Sequence, residues 1–363
     1  MLRTLLCRCG RRRALSTVPL PSHHAPGGGF RNPPEWRSHQ PAGALDFFTK
    51  ALPHWNWSTR FNSLAVVVPD FDAFVRAHFA ALWINHCTFL LALGTARVIT
   101  DPFFSERASP FSFAGPARYT AAAATVGELP ALDAVLISHS HYDHLDFFSV
   151  RELIKVPKPP RVWIVPLGVG EILESFGVAR DKIRELDWWD SVTIGELTYT
   201  CVPAQHGSAR TAFDRNKTLW AGYVVKGGAD IAGKQVYFSG DTGYRAVEQS
   251  ALAGSPAEEA AIVCPAFKEI GARLGAPDLA LLPIGAFTPR GFMSTVHASP
   301  EDAVSMFLDL GARAAVAMHF GSLPLTPEPV SEPPERLALE LKRRGIDAEK
   351  FKVLRHGEIW SEK

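Results

Sequence analysis

The sequence has few cysteines, no long apolar run and no excess of basic residues in its main part. Its 363 residues include five cysteines, two near the N-terminus and three far apart in the rest of the chain. Three widely spaced cysteines do not suggest a disulfide framework, and they fit a reducing compartment. Because no run reaches about 18 apolar residues, we predict no membrane-spanning helix, so any membrane contact should be peripheral.

Acidic residues are absent from the first 34 positions, and Glu35 is the first in the chain. Five of the 38 lysines and arginines lie within residues 1–13, among leucines and alanines. This composition predicts a mitochondrial transit peptide at residues 1–16, and it leaves association with the inner membrane open; a disordered basic tail is the alternative. The remainder is slightly acidic, which argues against a nucleic-acid partner.

Proline and glycine are frequent in residues 17–45, which predicts a linker without a core of its own. Residues 46–363 form the predicted domain, in which short apolar runs alternate with helical patterns. We expect strands at 81–85, 88–93, 97–100, 134–138, 162–165, 198–203, 219–225, 235–239, 279–284, 314–318 and 352–355, and helices at 147–155, 169–176, 300–310 and 333–344. This order indicates two packed sheets with helices outside.

A cluster of histidines follows the apolar run at 134–137, which predicts a buried strand. The cluster contains His139, His141, Asp143 and His144. In an extended chain His139 and His141 face the same side, whereas Asp143 and His144 lie past the bend. This spacing allows one loop to bind two metal ions. The alternative is a solvated polar loop.

Three more candidate ligands each follow a predicted strand, and they weigh against that alternative. They are His206, Asp241 and His319. Any one of these residues alone is weak evidence for a metal site, because single histidines at strand ends are often structural and Asp before Thr-Gly is common in turns. Together the two groups provide five imidazoles and two carboxylates. This set suits two ions such as zinc.

The order His-x-His-x-Asp-His, then His, Asp and His, resembles the metallo-β-lactamase superfamily. The resemblance implies an α/β fold, a four-layer αββα sandwich, with two zinc ions per chain at one edge. Carried over to this sequence, one zinc would be held by His139, His141 and His206, the other by Asp143, His144 and His319, and Asp241 would bridge them.

Further segments resemble the N-acylphosphatidylethanolamine-hydrolysing phospholipase D family. These segments are 100–110, 185–189, 238–244 and 282–286, and the resemblance covers about residues 50–345. It implies a zinc-dependent phosphoric diester hydrolase that converts a membrane phospholipid into N-acylethanolamine and phosphatidic acid by a metal-bridged hydroxide. Gly207, Gly291 and Phe320 stand where the family commonly has tryptophan, which leaves the acyl-chain preference open.

Catalytic roles are predicted for Asp143 and Asp241 through the metals, and for His297. His297 matches a family histidine near the site, where it would hydrogen-bond a phosphate oxygen or donate a proton to the leaving group. A histidine that only flanks a helix is the alternative.

Three other residues have two interpretations each. Asp101 would orient a ligand imidazole or serve as a turn carboxylate. Arg290 would steady the phosphate or form a surface salt bridge. His86 is expected to be a buried structural histidine rather than a ligand.

Phenylalanines flank the histidine cluster at positions 111, 113, 147 and 148. Most aromatics are expected in the core, but a few at the site mouth could dock on a bilayer. Other functions stay open: hydrolysis of a soluble ester or a lactone such as a sugar-phosphate lactone, nuclease activity, which the charge opposes, and a non-catalytic scaffold. The sequence also leaves homodimer formation open.

Overall fold

The computed structural model describes residues 21–39, 47–54, 59, 61–248 and 255–362. The predicted transit peptide lies outside these residues, as do both ends of the predicted linker. Among the described residues no helix is long and apolar enough to cross a membrane.

The strands and helices alternate through most of the chain. The strands are β1 (Phe79–Asn85), β2 (Thr88–Leu93), β3 (Ala96–Thr100), β4 (Ala134–Leu136), β5 (Val162–Pro166), β6 (Ile183–Leu186), β7 (Ser191–Ile194), β8 (Leu197–Val202), β9 (Gly222–Lys226), β10 (Gln235–Phe238), β11 (Leu279–Pro283), β12 (Ala314–Met318), β13 (Phe351–Lys352) and β14 (Ile359–Ser361). The α-helices are α1 (Phe71–Arg76), α2 (Phe147–Leu153), α3 (Val169–Phe176), α4 (Pro256–Glu259), α5 (Ala266–Leu274), α6 (Arg290–Met293), α7 (Pro300–Leu310) and α8 (Glu332–Arg343). Short turns of other helix types occur at Phe47–Ala51, Leu52–His54, Val126–Glu128, Arg180–Lys182, Ala229–Ile231 and Ala348–Lys350.

Two seven-stranded mixed sheets form the centre of the molecule. The strand orders are β14-β1-β2-β3-β4-β5-β6 and β13-β12-β11-β10-β9-β8-β7. In the first sheet β1 to β3 are antiparallel and β3 to β6 parallel; in the second, β7 to β10 are antiparallel and β10 to β13 parallel. Each sheet therefore combines hairpins with crossover connections, which place helices on its outer face.

The strands β1, β2, β4 and β5 of the first sheet are buried on both faces. Alternate residues of β2 separate into two cores: Phe89 and Leu91 pack toward the second sheet, and Leu90 and Ala92 pack with the helices outside. The outer layers are α2 and α3 on one side and α5, α7 and α8 on the other. The four-layer αββα sandwich implied by the resemblance is confirmed.

Helix α7 has the bounds predicted from its capping signals. The Ser299 side chain accepts from the Asp302 backbone N–H, the Asp302 carboxylate accepts from the Ser299 N–H, and Pro300 occupies the first turn. Gly311 ends the helix in a left-handed conformation with φ of 65°. The local sequence thus suffices to set both ends of this helix.

Seven elements were not predicted: the strands β6, β7 and β14 and the helices α1, α4, α5 and α6. The three strands lie at sheet edges, where one side is open to solvent. Two of the four residues of β6 are buried and none of β7 is, so neither strand carries a continuous apolar run. The strand predicted at 352–355 is only Phe351–Lys352 in the structure.

The described part of the predicted linker packs on the domain. Trp36 is 7% exposed and belongs to the core between the sheets. The segment has no separate core, in agreement with its composition. The predicted boundaries of leader and linker stay predictions.

The strand directions bring several chain segments to one end of the sandwich. In the first sheet β1, β3 and β4 run the same way, and in the second β8, β10 and β12 do so. The candidate ligands all follow C-terminal ends of such strands. The topology therefore predicts that they meet.

Candidate metal centre

The loop after β4 carries the first ligand cluster and is closed by α2. The Asp146 carboxylate caps this helix by accepting from the backbone N–H groups of Phe148 and Ser149. Within the loop, the backbone N–H groups of His144 and Leu145 donate to the carbonyl of His141. This tight turn places the polar side chains of the loop toward the second sheet.

Three imidazoles form the first half of the site. His139 Nε2 lies 2.8 Å from His141 Nδ1, and His206 Nε2 lies 3.4 Å from the same atom. His206 arrives from the end of β8, 65 residues further along the chain than His141. The structure thus brings together the three residues predicted to hold one ion.

Two histidines and a carboxylate form the second half. Asp143 Oδ2 lies 3.4 Å from His144 Nε2 and 3.9 Å from His319 Nε2. His319 follows β12, and its side chain is fully buried. These are the three residues predicted for the other ion.

Asp241 lies between the two halves. Its Oδ1 is 3.0 Å from His319 Nε2, and its Oδ2 is 3.2 Å from His144 Nε2. The same Oδ2 is 3.9 Å from His139 Nε2 and 3.8 Å from His206 Nε2. This carboxylate therefore contacts both ligand sets, as expected of a bridging ligand.

Unpaired buried atoms indicate that the cluster is built for cations. His144 Nε2, both ring nitrogens of His319 and Asp241 Oδ1 are buried and make no hydrogen bond of good geometry among the described residues, although Asp241 lies close to both imidazoles. Leaving such groups unpaired is costly unless another group completes them. Their ligand atoms lie within 4.8 Å of one another in two groups, one of three histidines and one of Asp143, His144, Asp241 and His319. The site is able to bind metal ions.

Burial keeps several imidazoles neutral, which is the form that binds metals. Burial lowers the pKa of His139 and of His206 well below the usual value, and neighbouring histidines lower both further. The Nδ1–H of His206 donates to the Val296 carbonyl at 2.8 Å, so its Nε2 is left for a ligand.

His144 and Asp241 form a coupled pair. Burial lowers the pKa of His144, but the carboxylates of Asp241, Asp143 and Asp101 outweigh it and raise that pKa well above the usual value. Burial would raise the pKa of Asp241, but His144 and His319 hold it well below its usual range. The carboxylates therefore favour positive charge at this point, which a bound cation would provide.

Asp101 orients His144 from outside the cluster. His144 Nδ1 donates to Asp101 Oδ2 at 2.7 Å, and Ser138 donates to the same carboxylate through its backbone N–H and its hydroxyl. Asp101 is completely buried. The structure favours the orienting role over that of a turn carboxylate.

The sequence interpretation missed the contact made by His86. This residue is buried, as expected, but its Nε2 lies 3.1 Å from Asp143 Oδ2. Its carbonyl accepts from the Trp83 indole and from the His319 backbone N–H. His86 therefore connects two predicted ligands, and only its position at the end of an apolar run hinted at this.

Three residues of the site have left-handed backbone conformations that side chains other than glycine rarely adopt. The φ angles are 42° at His86, 33° at Asp101 and 60° at His319. Such conformations cost about 1–3 kcal/mol each and persist where the surroundings fix them. At these strand ends the contacts of the side chains offset the conformational cost of the backbone.

His297 and Arg290 occupy different environments. His297 Nδ1 lies 3.9 Å from Asp241 Oδ2, and burial lowers the pKa of His297 to about 3. Arg290 is instead buried and paired with Glu258 at 2.7 Å and Asp302 at 2.9 Å. Its predicted surface salt bridge is thus an internal one, and the phosphate-steadying role is not supported.

Arg210 contacts the loop after β4 that carries His139 to His144, here called the ligand loop, from the side of His206. Its Nη1 donates to the carbonyls of Ser140 and Leu145, both at 2.8 Å. The guanidinium also lies 4.0 Å from the centre of the Tyr142 ring, and the Tyr142 hydroxyl donates to the Arg210 carbonyl. The sequence alone did not single out this residue.

An open cavity of about 460 Å³ adjoins the histidines. Its lining includes His141, His206 and His297 together with Gly207, Ala209, Ala212, Arg215, Phe292 and Val296. Phe320, which stands where the family commonly has tryptophan, packs in the core against Trp83 at a ring distance of 5.1 Å. The cavity offers an apolar wall and one guanidinium next to the cluster.

Comparisons with known proteins bear on the family and the fold of the chain. The model of the beta-lactamase superfamily domain matches residues 96–320. The chain is 37% identical over 289 residues to N-acyl-phosphatidylethanolamine-hydrolyzing phospholipase D 1 of Caenorhabditis elegans, covering 77% of this chain and 75% of that one. It is 30% identical over 262 residues to the mitochondrial yeast phospholipase D of the same name, covering 71% of this chain and 50% of the yeast protein.

An uncharacterised protein of Mycobacterium tuberculosis is 42% identical over 261 residues, and the match spans 71% of this chain and 63% of that protein's length. Among solved structures, an isothiocyanate hydrolase from Delia radicum gut bacteria superposes with a TM-score of 0.56 at 20% identity, over 78% of this chain and 99% of that one. This structural likeness bears on the fold alone. The chain belongs to the metallo-β-lactamase superfamily and, within it, to the N-acylphosphatidylethanolamine-hydrolysing phospholipase D family.

Proposed function

We propose that the protein hydrolyses N-acylphosphatidylethanolamine to N-acylethanolamine and phosphatidic acid with two zinc ions per chain. The observation that carries this proposal is the position of Asp241 between two sets of three ligands. Nitrogen and oxygen donors in this number suit zinc. The family relationship to the worm and yeast phospholipases supports the choice of a phosphodiester substrate.

When bound, two zinc ions at such a site would supply a hydroxide nucleophile at neutral pH and offset the charge of a phosphate. His139, His141 and His206 would hold one ion, and Asp143, His144 and His319 the other. Asp101, through His144, fixes the direction of one ligand nitrogen. The side chains of the site are then positioned before substrate arrives, which limits reorganisation.

His297 would hydrogen-bond a phosphate oxygen. Its side chain is 13% exposed, it lines the cavity, and it lies beside Asp241 without belonging to either ligand set. Arg215 lines the same cavity and adds positive charge on its outer part. An anionic phosphodiester placed between these two groups would present its phosphorus to the cluster.

The apolar wall of the cavity would accept an acyl chain. Ala209, Ala212, Phe292 and Val296 form this wall, and Gly207 leaves room close to His206. The exposed Phe213 directly follows the lining residue Ala212. A lipid could therefore enter from a membrane surface with its phosphate leading.

Exposed phenylalanines would provide the membrane contact. Phe213 is 93% exposed, Phe113 79% and Phe111 55%, and Phe147 and Phe148 at the start of α2 are partly exposed. These residues lie on segments that follow β3, the ligand loop and His206. Aromatic side chains around a site suit binding to the membrane interface.

Vesicle binding tests this membrane contact. Phe113→Ser and Phe213→Ser together should reduce co-sedimentation with phospholipid vesicles, whereas Leu339→Ser, which changes a 67% exposed leucine of α8, should not. The double variant and Leu339→Ser should both hydrolyse substrate dispersed in detergent at the wild-type rate. Equal vesicle binding by the double variant and the wild type would contradict the proposal.

A mitochondrial location, with association at the inner membrane, fits this substrate. The arginine-rich N-terminus supports it, as does the mitochondrial designation of the yeast relative. Imaging of the full chain with a C-terminal tag, against the chain lacking residues 1–16, tests it. Equal distribution of the two proteins would contradict a targeting role for the leader.

One assay tests the reaction itself. The purified protein is incubated with N-acylphosphatidylethanolamine or with a soluble lactone, with and without chelator, and products are identified by mass spectrometry. We expect N-acylethanolamine and phosphatidic acid, only in the presence of metal. Lactone opening without lipid cleavage, or release of a free fatty acid, would overturn the proposal. Elemental analysis of the same sample gives the metal and its number per chain.

A further inference from the structure

Residues 21–39, here called the N-terminal strap, lie against the domain outside the residues matched by the superfamily model. The ring of Trp36 stacks on that of Trp188 at 5.5 Å, and the ring of His23 also stacks on Trp188, at 4.3 Å. Trp188 is itself 6% exposed. The strap is therefore part of the packed molecule rather than a free leader.

Two histidines fasten the strap to one carboxylate. His23 Nε2 lies 2.7 Å from Asp187 Oδ1, and His24 Nε2 lies 2.6 Å from Asp187 Oδ2. A His-His-Asp group of this kind could also hold a cation. These distances are those of direct hydrogen bonds, however, and none of the three side chains has an unpaired buried atom, in contrast to the metal centre. We therefore interpret the group as a structural contact, here called a fastening, that attaches the strap to the domain.

The strap reaches the backbone of a predicted metal ligand. The Asn32 side-chain amide donates to the carbonyl of His206 at 2.7 Å, and both residues are buried. Next to it, the Ser38 hydroxyl donates to Gln205 Oε1 at 2.5 Å, and Gln205 Nε2 donates to the Ser38 carbonyl at 3.3 Å. The residues before and at His206 are thus held by side chains far away in the sequence.

The strap also holds the far end of the same loop. The backbone N–H of Phe30 donates to the Asn216 carbonyl at 2.8 Å. The segment from Gln205 to Asn216 lines much of the cavity and carries His206 at its start. Its two ends are therefore tied to a single piece of chain, which fixes the loop more firmly than either contact alone.

We propose that the strap positions His206 for metal binding, with Asn32 as the positioning residue. His206 is oriented through its ring by the Val296 carbonyl and through its backbone by Asn32. Loss of groups that orient a ligand typically lowers metal affinity or activity by about 10–100-fold. The proposal requires a metal at the predicted site but not the lipid substrate. A failure of the substrate assay with metal still bound would therefore leave it intact.

Chelator competition on the full-length, metal-loaded protein tests this role. Asn32→Ala should weaken at least one of the two measured metal affinities by about tenfold or more. Ser38→Ala, which removes one hydroxyl, should weaken it by less and provides a second variant should Asn32→Ala fold poorly. Arg31→Ala is the matched control, because its side chain makes an exposed bond within the strap, to the Ser22 carbonyl. Affinity within twofold of wild type for folded Asn32→Ala would overturn the proposal.

The cobalt-loaded protein gives a readout that a purely stabilising role would not change. The visible absorption of Co²⁺ reports the ligand geometry, so Asn32→Ala should alter the bands of the ion at His206 and Arg31→Ala should not. An unchanged spectrum of Asn32→Ala would contradict positioning. Binding of a third ion that His24→Gln abolishes would overturn the interpretation of His23, His24 and Asp187 as a fastening.

Coupling between two sites is reciprocal, so metal should also stabilise the strap. Hydrogen exchange of the wild-type protein, with metal and after chelation, tests this without any variant. Amides of residues 21–39 should exchange at least several-fold faster after chelation, while those of α8 should change little. Equal exchange of the strap in both states would overturn the proposal.

Discussion

His297 lies among the ligand side chains without belonging to either predicted ligand set. Its ring centre is 5.1 Å from that of His206 and 5.2 Å from that of His319. No ion is needed to place it there, since it follows the helix α6 and its backbone N–H donates to the Met293 carbonyl. The position supports contact with substrate rather than a role in holding metal.

His297→Ala should therefore lower kcat by about 10²–10³, as loss of a single preorganised donor does. Metal content should stay at the wild-type value. His39→Ala is the control, because His39 is another histidine that lines the same cavity. Steady-state kinetics and elemental analysis check the prediction, and loss of an ion would identify His297 as a ligand instead.

Asp101 acts on the metal centre indirectly, through its contact with His144. Because its carboxylate receives His144 Nδ1 and both donors of Ser138, its replacement by Asn removes one acceptor from a buried site. Asp101→Asn should reduce metal affinity or activity by about 10–100-fold.

A matched control is available at the start of the neighbouring strand β4, at the opposite end of the sheet from Asp101. Asp133 precedes β4 and accepts from the Arg97 backbone N–H at 2.9 Å, far from the ligand loop. Asp133→Asn should retain wild-type metal affinity. If both variants lose affinity equally, the effect of Asp101 is one of general stability and the orienting role is wrong.

At the scale of elements, the ligand loop is shaped by contacts from a different loop. Arg210 donates to Ser140 and Leu145, the residues that bracket His141, Asp143 and His144. Both bonds come from Nη1 of a planar guanidinium that also packs against the Tyr142 ring, a contact that the compact ammonium of lysine does not reproduce. The loop after β8 thereby fixes the loop after β4.

Arg210→Lys should lower activity about tenfold and lower the metal affinity with it, because the shorter lysine lacks the planar group that packs on Tyr142 and holds the loop. Arg184→Lys is the control. Arg184 donates through one nitrogen to the carbonyls of Asp181 and Ile183 in much the same way, but on the edge strand β6. Equal activity of both variants, measured by turnover and chelator competition, would show that the anchoring by Arg210 does not matter.

At the scale of the whole molecule, the metal centre joins the two sheets. The loops after β1, β3 and β4 come from one sheet, and those after β8, β10 and β12 come from the other. The ligand set is therefore complete only when both sheets are packed. Metal binding and packing should stabilise each other.

Chelation should accordingly lower the thermal unfolding temperature. An ion present at 100 times its dissociation constant stabilises the folded state by about 2.7 kcal/mol. Calorimetry with and without chelator measures the shift, and Asp241→Asn should show a smaller one, because it removes the residue shared by both halves. An unchanged unfolding temperature after verified removal of the metal would contradict this coupling.

The fold and the ligand set were largely predictable from local patterns. The run at 134–137 followed by His139 to His144, and single polar residues after apolar runs at 206, 241 and 319, identify strand ends that carry ligands. The capping signals of α7 set its bounds. Strands β6, β7 and β14 escaped prediction because edge strands do not need an apolar pattern on both faces.

The sequence by itself determined which residues can bind metal and on which strand ends they stand, because donor chemistry and strand periodicity are local properties. Only the tertiary structure decided that His86 contacts Asp143, that Arg210 anchors the ligand loop and that Asn32 contacts His206. These contacts join residues 57, 70 and 174 positions apart. No local pattern encodes such pairs, since they arise from the packing of two sheets and an N-terminal strap.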